Sequence, residues 1–270
     1  MTSPPATFAA TASRSEGERP STAEESYDAE LFEEMARVDE GHFWFKTRNE
    51  VIEAAICTIA VEQPRILEIG CGNGNVLRRI DSPPRRVVGL DLYGEGLAVA
   101  RKRISTTLVQ GDAGRPPFWP VFDIVGLFDV LEHLQDDLGA MHAALSTLKP
   151  GGHIVVTVPA HQSLWSYADE VAHHVRRYQE EELCARLDKA GFEVEFSTPF
   201  MSALLPLAWA VRRGQSLARH KNSEKMSAEL APPALMNRAL AKVLAFEPKR
   251  VSQRRRIAFG MSIIAIARRR

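Results

Sequence analysis

The sequence predicts an α/β fold, in which helices cover both faces of a mostly parallel sheet. Short apolar runs alternate with helical segments between about residues 65 and 158, which is the pattern of successive βα units. These runs are almost continuously apolar, as expected for strands that are buried on both faces of a parallel sheet. A chain of 270 residues with 45% hydrophobic residues is long enough to bury such a core.

The residues before the first strand predict a tail and two helices. Residues 1–26 are mostly Ser, Thr, Pro, Ala and Glu, a composition that buries too little apolar surface to offset the entropy of ordering. We therefore expect a disordered tail there. Residues 27–62 predict a helical lid, with one helix that contains Met35 and Val38 and a second over about residues 51–59.

Five strands follow, each bounded by turn residues or a helix. They are predicted at Arg65–Ile69, 87–91, Thr107–Gln110, Phe122–Phe128 and 153–158. The intervening helices are expected at Asn75–Ile80, between the second and third strands up to about residue 104, and at 138–148. Residues 193–198 alternate in polarity and predict a sixth strand.

The polar residues at the ends of the strands are the informative ones, because ligands bind at the carboxyl ends of strands in such sheets. The first strand ends in Glu68 and a glycine-rich loop. Asp91 ends the second strand, 21 residues after Gly70, and Asp112 ends the third. A carboxylate at these places accepts hydrogen bonds from a ribose diol or an adenine amino group. A tight turn alone also explains a glycine-rich loop. The prediction of contacts with a ribose and an adenine therefore rests on the combination of the loop with Asp91 and Asp112.

A dinucleotide site is the alternative for this loop. Its fingerprint GxGxxG needs a third glycine where this chain has Asn75. Glu68 would also repel a pyrophosphate, whereas it suits a cationic amino group. The sign of this charge favours a cationic ligand.

With these features, the sequence resembles the class I methyltransferases that use S-adenosylmethionine, whose pattern is an acid followed by GxGxG. The resemblance continues at residues 111–113 (GDA), 128–133 (FDVLEH) and 148–152 (LKPGG). A subgroup signature is also present at residues 42–45 (HFWF), 164–166 (LWS) and 174–178 (HVRRY). The resemblance implies a Rossmann-like fold with a seven-stranded sheet, whose last strand is antiparallel and falls at about residues 257–267.

The resemblance also implies S-adenosylmethionine as cofactor and S-adenosylhomocysteine as product, bound by residues 63–199. Glu68 and the loop would hold the methionine part, Asp91 the ribose and Asp112 the adenine, with Asp129 beside the sulfonium. Trp44 and Arg48 would cover the donor, unless the aromatic residues there only pack in the core. The full set of expected cofactor-binding residues is Trp44, Arg48, Glu68, Gly70, Cys71, Gly72, Gly74, Asp91, Leu92, Asp112, Ala113 and Asp129.

Methyl transfer requires alignment of the acceptor, exclusion of water and removal of a proton from a hydroxyl or ammonium acceptor. We predict His133, His174 and Asp169 as the catalytic residues, because histidine titrates near neutrality and Asp169 can act as a base or orient a histidine. Expected acceptor contacts are Trp165, His173, Arg177 and Tyr178. The structural alternatives are that His133 caps its loop or packs on the donor, and that Arg176 and Arg177 pair with residues 180–182.

No metal site is predicted. His161, His173 and His174 are candidate ligands, but adjacent histidines lack the i, i+4 spacing of a helical zinc site. The three cysteines form no CxxC pair, which favours a reducing compartment and hence the cytoplasm. We expect neither a signal peptide nor a membrane span.

The formal net charge of +0 conceals an uneven distribution. Residues 201–270 hold 15 Lys and Arg against 3 Asp and Glu, a net +12, and residues 1–200 hold 19 against 31, a net −12. We expect residues 200–255 to form a basic, partly helical insertion before a last strand and basic tail at 256–270. Such an insertion fits a lid or homodimer contact, an anionic membrane surface, or, less well because aromatic residues are few, nucleic acid.

The sequence therefore predicts a methyltransferase that acts on an O or N atom of a small-molecule acceptor. One alternative is a lipid-linked or membrane-associated acceptor. The other is a partner protein that binds S-adenosylmethionine without catalysis.

Overall fold

The computed structural model describes residues 29–205 and 232–270. The predicted tail at residues 1–26 and the central part of the predicted insertion lie outside the described residues. Everything that follows concerns the described part of the chain.

Seven strands form one sheet in the order β3-β2-β1-β4-β5-β7-β6. Strands β1 to β5 pair in parallel, and β7 runs antiparallel to both β5 and β6. The predicted fold class is confirmed, including the antiparallel last strand. The strands are β1 (Arg65–Ile69), β2 (Arg86–Asp91), β3 (Thr107–Gln110), β4 (Phe122–Phe128), β5 (Leu148–Pro159), β6 (Phe192–Phe200) and β7 (Ser262–Arg269).

Nine helices are described around this sheet, besides three short 3-10 turns. They are α1 (Ala29–Val38), α2 (Phe43–Ile56), α3 (Asn75–Ile80), α4 (Gly94–Arg101), α5 (Asp137–Thr147), α6 (Tyr167–Val171), α7 (Glu180–Lys189), α8 (Ala234–Leu244) and α9 (Phe246–Ser252). None of these helices is both long and apolar enough to cross a membrane.

Two element boundaries differ from the prediction for identifiable reasons. Helix α2 begins at Phe43 rather than near residue 51, because the His42 imidazole accepts a hydrogen bond from the Trp44 amide at 3.2 Å and caps the first turn. Strand β5 begins at Leu148, before the Pro-Gly-Gly sequence, because Leu148 already pairs with Phe122 across an irregularity in the register. The predicted aromatic cluster therefore lies within a helix.

The core consists of two apolar layers, one on each face of the sheet. Ile66 and Val155 face the layer that α2, α3 and α9 cover, and Leu67 and Ile154 face the layer that α5 and α7 cover. Successive strand residues point to opposite faces, so each buried strand serves both layers. This arrangement leaves the carboxyl ends of the parallel strands at one edge of the sheet.

Helices α1 and α2 lie over that edge and are tied to it by polar contacts. Asp39, buried after α1, forms an ion pair with Arg103 at 2.6 Å and accepts a hydrogen bond from Asn73 at 3.1 Å. At the junction of α1 and α2, Asn237 of α8 accepts from the Phe43 amide at 2.8 Å and donates to the Gly41 carbonyl at 2.6 Å. The described end of the insertion thus holds the start of α2.

Four of the arginines that follow α9 are balanced by acidic neighbours. They form ion pairs with acidic residues of α7, its C-terminal end and β6. The pairs are Arg254 with Glu195, Arg256 with Glu180, Arg268 with Glu193, and Arg270 with Asp188. These four pairs balance part of the charge asymmetry along the sequence.

We expect that Glu247→Ala destabilises the fold by about 3 kcal/mol, because a buried charged acceptor is lost. The Glu247 carboxylate is fully buried and accepts from the amides of Met201 and Ser202, both at 2.8 Å, and from the Ser202 hydroxyl at 2.6 Å. Chemical denaturation measures the change in the free energy of unfolding.

Glu181→Ala is the matched control, because Glu181 is exposed on α7, and we expect a change of no more than about 0.5 kcal/mol. Equal stability of the two variants would contradict the structural role of Glu247.

Candidate active site

The loop after β1 is shaped by glycine and held by Asp91. Gly70 has a φ of +77°, and a Cβ there would collide with the Val130 side chain, so no other residue fits easily. The Gly72 amide donates to the Asp91 carboxylate at 2.6 Å, and the Tyr93 amide donates to the same carboxylate at 2.9 Å. Burial raises the pKa of Asp91, while these backbone hydrogen bonds lower it. Asp91 therefore joins the ends of β1 and β2.

Glu68 is a buried carboxyl group with one unsatisfied oxygen. Its Oε2 has no hydrogen-bond partner among the described residues, and its side chain lines the main cavity. Burial raises the pKa of Glu68 to about 8, although the nearby Arg48 guanidinium lowers it. A buried carboxyl of this kind is well placed to bind a cation that enters the cavity.

Arg48 of α2 connects the helical cover to the end of β4. Its guanidinium forms an ion pair with Asp129, donates to the Phe128 carbonyl at 2.9 Å, and lies 5.5 Å from the centroid of the Trp44 ring. Asp129 has a φ of +54° and also accepts from the Thr157 hydroxyl at 3.1 Å. A non-glycine residue held in this conformation is typical of functional sites.

A cavity of about 500 Å³ opens between the glycine-rich loop and the segment after β5. Its volume is within the range of small-molecule sites, about 300–1,000 Å³. Seven of the predicted cofactor-binding residues line it, namely Trp44, Arg48, Glu68, Gly70, Cys71, Gly72 and Asp129. The structure thus brings these residues together around one space.

The other five predicted cofactor-binding residues lie outside the lining of this cavity. Gly74 follows the loop, Asp91 and Leu92 end β2, and Asp112 and Ala113 follow β3. Their strands pair side by side with β1, so they lie at the same edge of the sheet. Their contacts with a nucleoside remain predictions.

The three predicted catalytic residues all line the opposite wall of the cavity, together with Arg177. Asp169 accepts from His174 Nδ1 at 2.9 Å and from Arg177 Nε at 2.7 Å. Burial raises the pKa of Asp169, but the hydrogen bonds from His174 and Arg177 outweigh it and hold that pKa well below its usual range. Asp169 is thus held as an anion by hydrogen bonds from both side chains.

His133 packs against His174, with the ring centroids 4.7 Å apart and the rings nearly perpendicular. Burial lowers the pKa of His133 to about 4, and the neighbouring His174 lowers it further, against the opposing effects of Asp129 and the backbone of Ala172 and His173. His133 is therefore neutral at pH 7.

The acceptor contact predicted for Tyr178 is wrong. Its side chain is fully buried, outside the cavity lining, in the core layer that α5 and α7 cover. Its hydroxyl lies 2.7 Å from an Asp137 carboxylate oxygen and 3.2 Å from the Leu131 carbonyl, and burial raises the pKa of Tyr178. Trp165 and His173 are also not in the cavity lining, and their predicted contacts are not supported by the structure.

The alternative pairing of Arg177 with residues 180–182 is not observed, because Arg177 pairs with Asp169 and the preceding Arg176 pairs with Asp137 at 3.0 Å. Arg177 therefore keeps its place at the cavity.

Sequence reasoning missed Glu132 as a functional residue. Its side chain is buried, lines the cavity and has one oxygen without a partner among the described residues. Burial raises the pKa of Glu132 well above its usual value, and Asp129 raises it further. The available signal was its place in the segment FDVLEH, four residues after the end of β4.

A family model and two known proteins match this chain over part of its length. A family model described as "Methyltransferase domain" matches residues 25–196. A "Probable S-adenosylmethionine-dependent methyltransferase" of Mycolicibacterium smegmatis is 31% identical over 160 residues, covering 58% of this chain and 62% of that protein. A ubiquinone biosynthesis O-methyltransferase of Photorhabdus laumondii is 31% identical over 112 residues, covering 38% of this chain and 47% of that protein. The chain thus spans about half of the length of these relatives.

Solved structures share the fold. A methyltransferase from Thermotoga maritima has a TM-score of 0.57 at 16% identity and covers 90% of this chain and 97% of its own. A phosphoethanolamine N-methyltransferase of Haemonchus contortus, solved with S-adenosylhomocysteine, has a TM-score of 0.58 at 18% identity and covers 90% of this chain and 58% of its own.

The chain belongs to the methyltransferase family. S-adenosylmethionine is its cofactor, and the cavity fits this ligand in charge, because the unpartnered Glu68 oxygen offers a hydrogen-bond acceptor to the donor's ammonium group.

We expect S-adenosylhomocysteine binding to release close to one proton at pH 7. Glu68, with a pKa of about 8, is mostly protonated in the free protein and becomes ionised beside the ligand's ammonium group. At pH 9 the carboxyl group is already ionised, so the release disappears. Calorimetry in buffers of different ionisation enthalpy measures the number of protons.

Glu68→Gln is the control of matched shape, because the amide does not titrate. It should bind more weakly and release almost no proton at pH 7. If the variant releases as many protons as the wild type, Glu68 is not the group that titrates.

Proposed function

We propose that this chain transfers the methyl group of S-adenosylmethionine to an oxygen or nitrogen atom of a small molecule. The observation that carries the proposal is the cavity that joins the glycine-rich loop to His133, Asp169 and His174. Donor and acceptor bound side by side in one cavity meet the requirement for alignment.

The cofactor, when bound, supplies an electrophilic methyl group on a sulfonium. The chain's residues then have three tasks. Glu68, the loop and Arg48 hold the donor, and Trp44 with the rest of α2 excludes water as a lid. The histidine cluster, in which Asp169 fixes the orientation of His174, binds the acceptor and promotes the loss of its proton. Arg177 keeps Asp169 ionised and contributes positive charge at the acceptor side.

The relatives support both kinds of acceptor atom. The ubiquinone relatives are O-methyltransferases by name, whereas a solved neighbour is an N-methyltransferase crystallised with phosphomonomethylethanolamine. A measurable rate of methyl transfer would also distinguish this proposal from the alternative of a partner protein that binds S-adenosylmethionine without catalysis. A homodimer, a cytoplasmic location and the absence of nucleic-acid binding remain predictions.

A second candidate is a membrane-associated acceptor, which one surface feature favours. The outer face of α8 and the start of α9 expose Leu235, Met236, Val243 and Phe246, with Leu235 82% exposed. Lys242 and Lys249 are exposed beside them. An apolar stripe with a basic margin is typical of helices that lie on anionic lipid surfaces.

We expect that His174→Ala lowers kcat by about 10²–10⁴-fold, the usual contribution of positioned proton transfer. Donor affinity should change little, since the donor is held at the opposite wall. Radiolabelled methyl transfer from S-adenosylmethionine to a panel of phenols, alcohols and amines gives kcat, and calorimetry with S-adenosylhomocysteine gives donor affinity.

His161→Ala serves as the comparison, because His161 contacts Gln179 and is not in the cavity lining. It should keep full turnover. Full turnover of His174→Ala as well would show that His174 has no part in the reaction.

Vesicle binding tests the second candidate. We expect the wild type to co-sediment with vesicles of phosphatidylglycerol at low salt, and Leu235→Asp combined with Phe246→Asp to reduce the bound fraction severalfold. Absence of wild-type binding at low and high salt would exclude this surface as a membrane contact.

A further inference from the structure

The fold brings His174 next to Glu132 and His133, although His174 lies 42 positions after Glu132 in the sequence. One ligand atom of each, a carboxylate oxygen or an imidazole nitrogen, lies within 4.8 Å of the others. Glu132 and His133 belong to the short turn after β4, and His174 belongs to the segment after β5. All three line the cavity beside the proposed donor position.

The carboxylates that line the cavity differ in whether they have an ion-pair partner. Arg48 pairs with Asp129, and Arg177 pairs with Asp169 at 2.7 Å. Glu68 lies at the glycine-rich loop, where the donor's ammonium group is proposed. Glu132 is left without an ion-pair partner in the described residues, is 1% exposed, and has an unsatisfied Oε2. A buried carboxylate in this position is costly unless a cation enters and pairs with it.

The two histidines are held as metal-binding histidines usually are. The His174 Nδ1 donates to Asp169 at 2.9 Å, which leaves Nε2 as the nitrogen for a ligand. Asp169 is itself fixed by Arg177 and by the Ser166 amide at 2.8 Å. Backbone groups of residues 172 and 173 hydrogen-bond to the His133 side chain. Such outer hydrogen bonds set the tautomer and orientation of metal-binding imidazoles.

We propose that Glu132, His133 and His174 form a site for a divalent first-row transition metal ion that binds the methyl acceptor through oxygen. Two imidazoles and one carboxylate suit Mn²⁺, Fe²⁺, Co²⁺ or Zn²⁺ better than Mg²⁺ or Ca²⁺, which prefer oxygen ligands. Three protein ligands leave coordination positions open. The spacing of the histidines along the sequence argues against a zinc site on a single helix. The fold instead brings His174, from the segment after β5, next to Glu132 and His133.

This inference rests on the proposed function and narrows its acceptor to a hydroxyl compound. A hydroxyl oxygen held by a divalent cation has a lowered pKa and loses its proton to solvent. The oxygen lone pair then forms a bond to the methyl carbon, the carbon–sulfur bond breaks, and its electron pair remains on sulfur. The products are the methyl ether, S-adenosylhomocysteine and one proton, without oxidation or reduction.

The test titrates metal-free protein with Co²⁺ alone and follows both the heat of binding and the Co²⁺ visible absorption. We expect one ion per chain. Glu132→Gln and His174→Ala should each weaken binding about 100-fold or more, and Asp169→Asn about 10–100-fold, the range for an outer partner of a ligand. His142→Ala, which changes an exposed histidine on α5, should bind like the wild type.

Each variant is also titrated with S-adenosylhomocysteine, so that loss of the fold is recognised by loss of donor binding. Failure of the wild type to bind Co²⁺, or equal binding by Glu132→Gln and His142→Ala, would overturn the metal site. Methyl transfer that persists after chelation would overturn it too and leave the proposed function intact. Metal binding at these residues without methyl transfer to any acceptor would instead overturn the proposed function.

Discussion

The ion pair between Arg48 and Asp129 is the interaction on which the site depends. The edge of the sheet gathers carboxyl groups from the ends of β1, β2 and β4, and water is excluded from them by α1 and α2. Arg48 enters from α2 and lowers the pKa of both Glu68 and Glu132 against the effect of burial. Without a cation from the covering helix, the pKa values of these two carboxyl groups would rise further. The Arg48 side chain therefore both joins the covering helix α2 to the end of β4 and partly offsets the negative charge of the carboxyl groups beneath it.

Much of the fold was predictable because strands buried on both faces are continuous apolar runs and glycine marks the loop. The site was predictable where polar residues lie at or directly after the end of a strand, as for Glu68 and Asp129. Tyr178 was misassigned because the segment after β5 turns it into the core while its neighbour Arg177 faces the cavity, and sequence order does not reveal that turn. Glu132 was missed because its importance comes from His174, which lies 42 positions later and becomes its neighbour only in the fold.

The helical insertion between β6 and β7 acts on the site from a distance. Asn237 satisfies the first amide of α2, and α2 carries both Trp44 and Arg48. Glu247 ties the following helix to the end of β6 through the amides of Met201 and Ser202. A segment that looked like an addition to the methyltransferase sheet therefore fixes the position of the helix that covers the donor.

The position of β7 has a consequence for the order of folding. Among the described strands, β6 pairs with β7 alone, and the partners Phe200 and Ser262 are separated by residues 201–261. Before those residues loop back, β6 has no strand to pair with and β5 presents an open edge. Pairing strands that are so far apart in sequence has a high entropic cost and raises the contact order, which slows folding. We infer that docking of β7 is a late event in folding, during which the unpaired edge of β5 is the surface most exposed to aggregation.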